Sequence, residues 1–392
     1  MKTEWLVIGG GIHGVHLAAR LIAEAHVNPK QLRIVDPGQR LLQRWRTCTE
    51  TTGMRHLRSP AVHHLDVEPW SLRIFGTKRN AKKSNFAAPY SRPSLTLFNA
   101  HCDRVIDEFS LDDLHISARA VRATRSKGFI AVQLSNEQVI ETRNIVLAVG
   151  MGEQPHYPDW LPENRSNIHH VFAPGFDEWP QEKERVVVVG GGISAAQIAL
   201  RLMKEGHEVH LVSRHELRQH QFDSDPGWLG PKHMNGFEKV RDVAKRRALI
   251  AEARHKGSVP PNVRRAIKRA VRLEKMTWHL EEVDHIEVVE GDSTVHFRSG
   301  RQLKFDRMLL STGFSAHRPG GSFVDELVET FELPCAPCGY PIVDHWLRWD
   351  SNIFASGPLA ELELGPTARN IAGARRAADR LIAVANSARR AA

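Results

Sequence analysis

The stretch Glu4-Trp-Leu-Val-Ile-Gly-Gly-Gly-Ile-His-Gly14 constrains this chain more than any other. A short apolar run reads as a strand and enters a glycine-rich turn. Helical spacing follows through Val15, Leu17, Ala18, Ala19, Leu21 and Ile22. Gly9, Gly11 and Gly14 stand at G-x-G-x-x-G spacing, with Gly10 between the first two. In such a turn the first glycine permits the sharp exit from the strand. The second leaves the backbone bare for the approach of a pyrophosphate, and the third lets the helix pack closely on the strand. The anion then meets unpaired N–H groups at the positive end of the helix.

Glycines also mark ordinary turns, so this motif needs support. A second strand, Leu32-Arg-Ile-Val-Asp36, ends on an acid where a ribose hydroxyl requires an acceptor. The interval from Gly9 is a little longer than usual, and the polar stretch 25–31 absorbs it as a longer connection. The motif also returns. Arg185-Val-Val-Val-Val-Gly-Gly-Gly-Ile-Ser-Ala195 carries Gly190, Gly192 and Ala195 in G-x-G-x-x-A form. A helix is expected over 196–204, closed by Gly206. The strand after it, 208–212, ends at Ser213-Arg214 without an acid. An arginine is what a 2′-phosphate requires, so the second nucleotide reads as NADP rather than NAD.

The 392 residues suffice for two domains, and 41% hydrophobic with 25% charged residues is ordinary for a globular protein. No apolar run reaches membrane-spanning length, and a strand at the start leaves no room for a leader. Four cysteines make no disulfide framework, which suggests a cytoplasmic protein. The net charge of +9 suits phosphorylated cofactors and solubility. No nucleic-acid module is visible, so no nucleic-acid partner is expected.

Between the two loops, 47–53 reads as a polar turn, 78–84 as a basic loop and 95–109 as an amphipathic helix. Strands are expected at 130–134, 139–142 and 145–149, the last ending at Gly150. The Pro- and Gly-rich stretch 151–162 is a natural crossing between domains. Beyond the second loop, 219–237 looks irregular, and 237–273 reads as two basic helices broken at Gly257 and Pro260-Pro261. Strand pieces follow at 286–289 and 294–298, with Gly291 and Asp292 in the turn between them. The run 305–311 leads into Thr312-Gly313, and 353–356 ends at Gly357. Gly365-Pro366 is expected to open a last helix over 368–385.

Two glycine loops of different kinds, one followed by an acid and one by an arginine, say more than either alone. With strand-to-glycine endings at Gly150, Gly313 and Gly357, the chain resembles the flavoproteins with two dinucleotide-binding domains. Within them it is most similar to the flavin-containing and N-hydroxylating monooxygenases. That likeness rests on Gly190-Gly-Gly-Ile-Ser-Ala-Ala-Gln197, on Ser311-Thr-Gly-Phe314, and on the lack of a cysteine pair after the first loop. The resemblance implies an α/β fold of two Rossmann-like domains. The NADPH domain, 151–301, would be inserted into an FAD domain built from 1–150 and 302–392. FAD would use Gly9, Gly10, Gly11, Gly14, Asp36, Gly150 and Gly357, and NADPH would use Gly190, Gly192, Ala195 and Arg214, with Gly313 a further cofactor contact. It also implies that NADPH reduces FAD, and that the reduced flavin binds molecular oxygen as a hydroperoxide and oxygenates a small molecule.

Other readings stay open. Cys335-Ala-Pro-Cys338 suits a flavin-dependent disulfide or quinone reductase, half a zinc site, or two plain thiols in a turn. The basic helices suit a roof over the active site, a solvated face, or a polyanion contact in a non-catalytic flavin redox sensor. His63 and His64 read as a surface pair, with proton transfer at a flavin as the alternative. Arg55 and Arg58 suit an acidic substrate, the FAD phosphates or plain solvation, and Trp45 a flavin ring or the core. No side chain is singled out as catalytic, and no metal set is read.

Overall fold

A computed structural model describes residues 1–79, 82, 84–289 and 293–391 of the chain. The expected turn at Gly291 and Asp292 lies outside the described residues, as do Asn80, Ala81 and Lys83 of the basic loop. Lys2–Ile8 is the central strand of an eight-stranded sheet, hydrogen-bonded in parallel to Leu32–Asp36 on one side and Val139–Leu147 on the other. Leu6 and Val7 are wholly buried because the sheet is covered on both faces, which explains the unbroken apolar run. A second sheet of five strands is parallel throughout, in the order Thr277–Leu280, Glu208–Ser213, Arg185–Val189, Arg307–Leu310, Ile168–His170. The second sheet and the parallel centre of the first, which carries antiparallel strands at its margin, have the helix-connected form of a Rossmann-like α/β fold. Among the described residues no helix is long and apolar enough to cross a membrane.

Several local expectations are corrected. Residues 139–147 form one strand rather than two. Its outer half pairs antiparallel with Phe129–Leu134, and its inner half runs parallel to Lys2–Ile8 and Ile353–Ala355. The polar pair in its middle had suggested a break, but the Asn144 side chain donates to the Glu4 carbonyl and keeps the strand in the sheet. Where a polar turn was expected, Gln43–Thr51 is helical. There the Thr49 and Thr51 hydroxyls donate back to the Trp45 and Thr47 carbonyls at 2.9 Å, so the threonines satisfy themselves on the helix. The stretch 219–237 is not irregular throughout, since Pro231–Glu238 is a helix. The last helix is Ile371–Ala391, and Gly365-Pro366 lies in the turn before it rather than at its first turn.

The chain also leaves the second half later than residue 302. Gln302–Phe305 belongs to a three-stranded antiparallel ribbon with Val283–Glu287 and Ser293–Phe297, and Arg307–Leu310 belongs to the second sheet. The first sheet is regained only at Arg348–Asp350 and Ile353–Ala355. The two basic helices, Val243–Ala253 and Pro261–Arg272, form as expected. Pro261–Arg272 buries Val263, Ile267 and Ala270 against the helix Ile193–Glu205.

Under the first sheet lies a buried histidine cluster. His64 is fully buried and His63 half-buried, so the expected surface pair is an interior feature. His64 Nε2 donates to the Pro69 carbonyl at 3.0 Å, and His16 Nδ1 donates to the Leu65 carbonyl at 2.7 Å. His101 Nε2 meets the Ser71 hydroxyl at 2.8 Å, and Asp66 accepts from both Ser71 and Arg104. Burial pushes His63 and His64 down to about 4, and His16 and His101 down to about 3.

These histidines are neutral in the fold and titrate near 6.5 in the unfolded chain. As pH falls the unfolded state therefore binds protons first, and stability is lost from about pH 6.5 downward to about pH 4 for His63 and His64 and about pH 3 for His16 and His101. Each fully buried member contributes on the order of 3 kcal/mol across that window. Thermal unfolding followed by circular dichroism is expected to give a constant midpoint above pH 7 and a steady fall from pH 6.5 to 4. A flat profile over that interval would contradict the burial of these rings.

Candidate functional site

At the first loop, Gly9 leaves the strand at φ +112° and its N–H donates to the Val35 carbonyl at 2.8 Å. A Cβ at Gly9 would stand 2.6 Å from the Ala148 carbonyl oxygen, and one at Gly14 only 1.7 Å from the Gly9 carbonyl oxygen. Gly11 is different. It caps Ile12–Ala23 with no side-chain hydrogen bond, and a Cβ there would meet no atom within 4 Å. Bare N–H groups thus face open space at the positive end of a helix, a cradle that fits a phosphate. Asp36 accepts the Gly10 N–H at 2.7 Å and the Gly38 N–H at 2.8 Å. Each carboxylate oxygen retains a lone pair for a sugar hydroxyl. The acid therefore shapes the loop as well as facing the ligand space.

The second loop repeats this construction. Gly190, at φ +151°, donates its N–H to the Val212 carbonyl at 2.9 Å, and a Cβ on it would stand 2.6 Å from the Ser311 carbonyl oxygen. Gly192 caps Ile193–Glu205 without a side-chain bond, and Ala195 is fully buried where that helix meets its sheet. Since Gly190 pairs with Val212 as Gly9 pairs with Val35, the residue matching Asp36 is Ser213, and Arg214 is one further on. The Ser213 hydroxyl is turned inward, donating to the His215 carbonyl and accepting from Trp278 Nε1, both at 2.9 Å. Arg214 is exposed and has no ion pair among the described residues, so its charge is available to an anion. His215 went unnoticed in the sequence. Its ring stands against Gly191 and against Gly257, the residue that breaks the basic helical stretch.

Gly150 and Gly313 occupy matching places, each two residues beyond the carbonyl that crowds its loop, with nothing within 4 Å of a Cβ. Gly313 lies on the second sheet's side and accepts the His156 N–H at 2.9 Å from the crossing segment. A Cβ on Gly357 would stand 3.6 Å from the His13 ring. His13 Nε2 donates to the Asn370 carbonyl at 3.2 Å, so its Nδ1 accepts from the Ser356 hydroxyl at 2.9 Å. Burial pushes His13 down to about 4, which keeps it neutral and able to make both bonds. His13, Ser356 and Asn370 thus clip the C-terminal strand ending to the first glycine loop. In the sequence His13 is more than 340 residues from Ser356 and Asn370, and the three carry no local signal.

The clip continues into the second half. Asn370 Nδ2 donates to Asp223 at 3.1 Å, and Arg254 reaches both Asp223 at 3.4 Å and the Pro366 carbonyl at 2.9 Å. Arg58 donates to the Gln221 and His220 carbonyls, so it is a bridge between the halves, while Arg55 is exposed. Glu361 is wholly buried between Arg369 and Arg247, the latter from the helix Val243–Ala253. Burial opposes its ionisation, but the two arginines outweigh that and hold its carboxyl below the usual range. Trp45 packs on Phe98 and donates to Asn99, a core role. Cys335 and Cys338 are both free thiols. Arg318 donates to Cys335 Sγ at 3.2 Å, yet burial pushes the Cys335 thiol upward.

Residues 6–248 match the pyridine nucleotide-disulphide oxidoreductase family. This chain belongs to that family. As an oxidoreductase it has a curated relative, the uncharacterised oxidoreductase CzcO of Bacillus velezensis, 26% identical over 114 residues. That match covers 29% of this chain and spans about a third of the relative, 32%. The fold is similar to the ornithine N-hydroxylase of Kutzneria sp. 744, solved with reduced FAD, NADP+ and L-ornithine. The TM-score is 0.76 at 15% identity, covering 99% of this chain and 100% of that one. It is also similar to the bacillithiol disulfide reductase of Bacillus cereus, with a TM-score of 0.65 at 18% identity over 99% and 100% of the two chains.

The two glycines of the first loop are expected to respond differently to one added methyl. Gly14→Ala should lower stability by about 3 kcal/mol through the clash with the Gly9 carbonyl. Gly11→Ala should leave the melting temperature of the ligand-free protein unchanged while reducing FAD retention, because its methyl enters the ligand space. Equal effects in a paired thermal melt and flavin-content assay would contradict this division.

Proposed function

We propose that this oxidoreductase uses FAD in its first loop and NADPH in its second, and that it oxygenates a small molecule. The observation carrying this reading is the unequal pair of loops: an acid, Asp36, closes the first, and an inward serine followed by a free arginine, Ser213-Arg214, closes the second. When bound, FAD supplies the redox chemistry with NADPH as reductant and oxygen as acceptor. The chain's own part is to bind, orient and shield.

The N–H groups at Gly11 and Gly192 would receive the pyrophosphates, Asp36 a ribose hydroxyl, and Arg214 the 2′-phosphate. The neutral His13 clip would hold Ser356-Gly357 against the first loop. The helix Val243–Ala253 ties down the segment that follows Gly357, because Arg246 binds Glu363 at 2.6 Å and Arg247 binds Glu361. Such a cover would exclude water from the reacting centre. The fold likeness to an ornithine N-hydroxylase supports a nucleophilic nitrogen as the acceptor of oxygen.

A disulfide reductase is the second reading, favoured by the Cys335–Cys338 pair and the likeness to the Bacillus cereus enzyme. Reactive cysteines carry lowered pKa values. The upward shift of Cys335 therefore counts against a reactive thiolate at that position.

Purified protein is expected to be yellow and to bleach with NADPH without oxygen. With substrate in air, it should consume one oxygen per NADPH. NADPH-dependent thiol release from a disulfide, abolished by Cys335→Ser, would overturn the oxygenase reading in favour of the reductase. Arg214→Ala should reduce the preference for NADPH over NADH by about 10- to 100-fold, the worth of a hydrogen bond to a charged group. An unchanged ratio of kcat/KM values would remove Arg214 from the cofactor site.

A further inference from the structure

The antiparallel ribbon Val283–Glu287/Ser293–Phe297/Gln302–Phe305 carries a group of side chains that the redox site does not use. We propose that His285, Glu287 and His296 form a binding site for a borderline divalent cation of the zinc class. The ligand atoms of the three residues all lie within 4.8 Å of one another. His285 and His296 are directly opposite across the two strands, and Glu287 lies two residues beyond His285 on the same strand. Alternation places residues two apart on one face of a strand, so the three share a side of the ribbon. The opposite side is occupied by Val295, Phe297 and Phe305 of the core.

Three details favour a cation over a chance cluster. The imidazole rings of His285 and His296 are stacked, with centroids 4.3 Å apart and planes 9° from parallel, so the strands already hold the pair together. Asp284 Oδ2 stands 2.9 Å from His285 Nδ1. A carboxylate on one ring nitrogen fixes the proton there and leaves Nε2 bare as a ligand. His296 Nε2 is buried and makes no hydrogen bond, although Glu287 Oε2 is 3.4 Å away. In the neutral ring with its proton on Nδ1, that geometry sets one acceptor against another. A cation between them would satisfy both, and the contact lacks the alignment of a hydrogen bond.

Two imidazoles and a carboxylate are a donor set that suits zinc, with water in the fourth position. Ligand atoms around tetrahedral zinc are about 3.3 Å apart, given bond lengths of about 2.0–2.1 Å. Small side-chain rotations on this exposed face therefore complete the site. The strand register shifts between Val283 and His285, and a bound ion would pin the two strands beside that irregularity. The ribbon runs directly into Arg307–Leu310, the strand that ends at the second glycine loop. The ion's role would accordingly be structural, stabilising the second half by binding only its folded form.

The test is titration of the tag-free, full-length protein with zinc chloride alone, read by isothermal calorimetry and by thermal melting. Wild type is expected to bind one equivalent and to melt at a higher temperature with zinc present. His285→Asn and Glu287→Gln should each abolish the stoichiometric event and the thermal shift. Asp284→Asn should weaken binding by about tenfold, as loss of an orienting partner does. His279→Asn alters a different histidine pair, His210–His279, and should leave binding unchanged. Circular dichroism and flavin content of each variant report whether it is folded. Wild type without a saturable event, or His285→Asn binding like wild type, would overturn the proposal. In an independent readout on wild type, bound copper(II) should show nitrogen hyperfine coupling from two imidazoles, and a spectrum without it would also overturn the assignment.

Discussion

The contact on which the rest of this structure depends is the one between Gly14 and the Gly9 carbonyl, where no methyl group fits. It brings the helix Ile12–Ala23 onto the end of the central strand and aims the helix's open N–H groups at the space beside Gly11. The strand Val139–Leu147 then closes on the other side, with the Ala148 carbonyl against Gly9. Once strand, turn and helix are locked in this way, the positions of Asp36 and Gly150 around the cradle follow from parallel register.

The same device is built twice with different outcomes. Gly190 sits against the Ser311 carbonyl as Gly9 sits against Ala148, and both receive a strand-end carbonyl from the neighbouring strand. What differs is the side chain after that strand. In the first half an acid bonds two backbone N–H groups, and in the second a buried serine hydroxyl is used up internally while the next residue, an arginine, stays free. Two similar folds thus offer an acid at one strand end and, one residue past the equivalent place, an arginine at the other, which suits them to different nucleotides.

The halves are joined by polar contacts as well as by an apolar cluster in which Met234, Phe237 and Ile250 meet Ala336, Tyr340 and Leu362. His13, Asn370, Asp223 and Arg254 form a continuous chain of hydrogen bonds from the first loop into the second half, and Arg58 adds a further bridge. Buried charges on this boundary are paired, Glu361 with two arginines, as a desolvated carboxylate requires.

The sequence by itself determined the two strand–glycine–helix units, the acid after one and the arginine after the other, and the basic helices, because each is a local pattern of residue type and spacing. Polar segments misled it where side chains satisfied themselves, as the threonines of Gln43–Thr51 do on their own helix. It also placed His64 on the surface, since a histidine's burial depends on finding a distant carbonyl such as that of Pro69 within the folded loop. Only the tertiary structure decided that Ser213 rather than Arg214 matches Asp36, that His13 clips Ser356 and Asn370, and that the ribbon carries His285 opposite His296. These relations depend on strand register and on contacts between residues far apart in the chain, and neither is set until the sheets have formed.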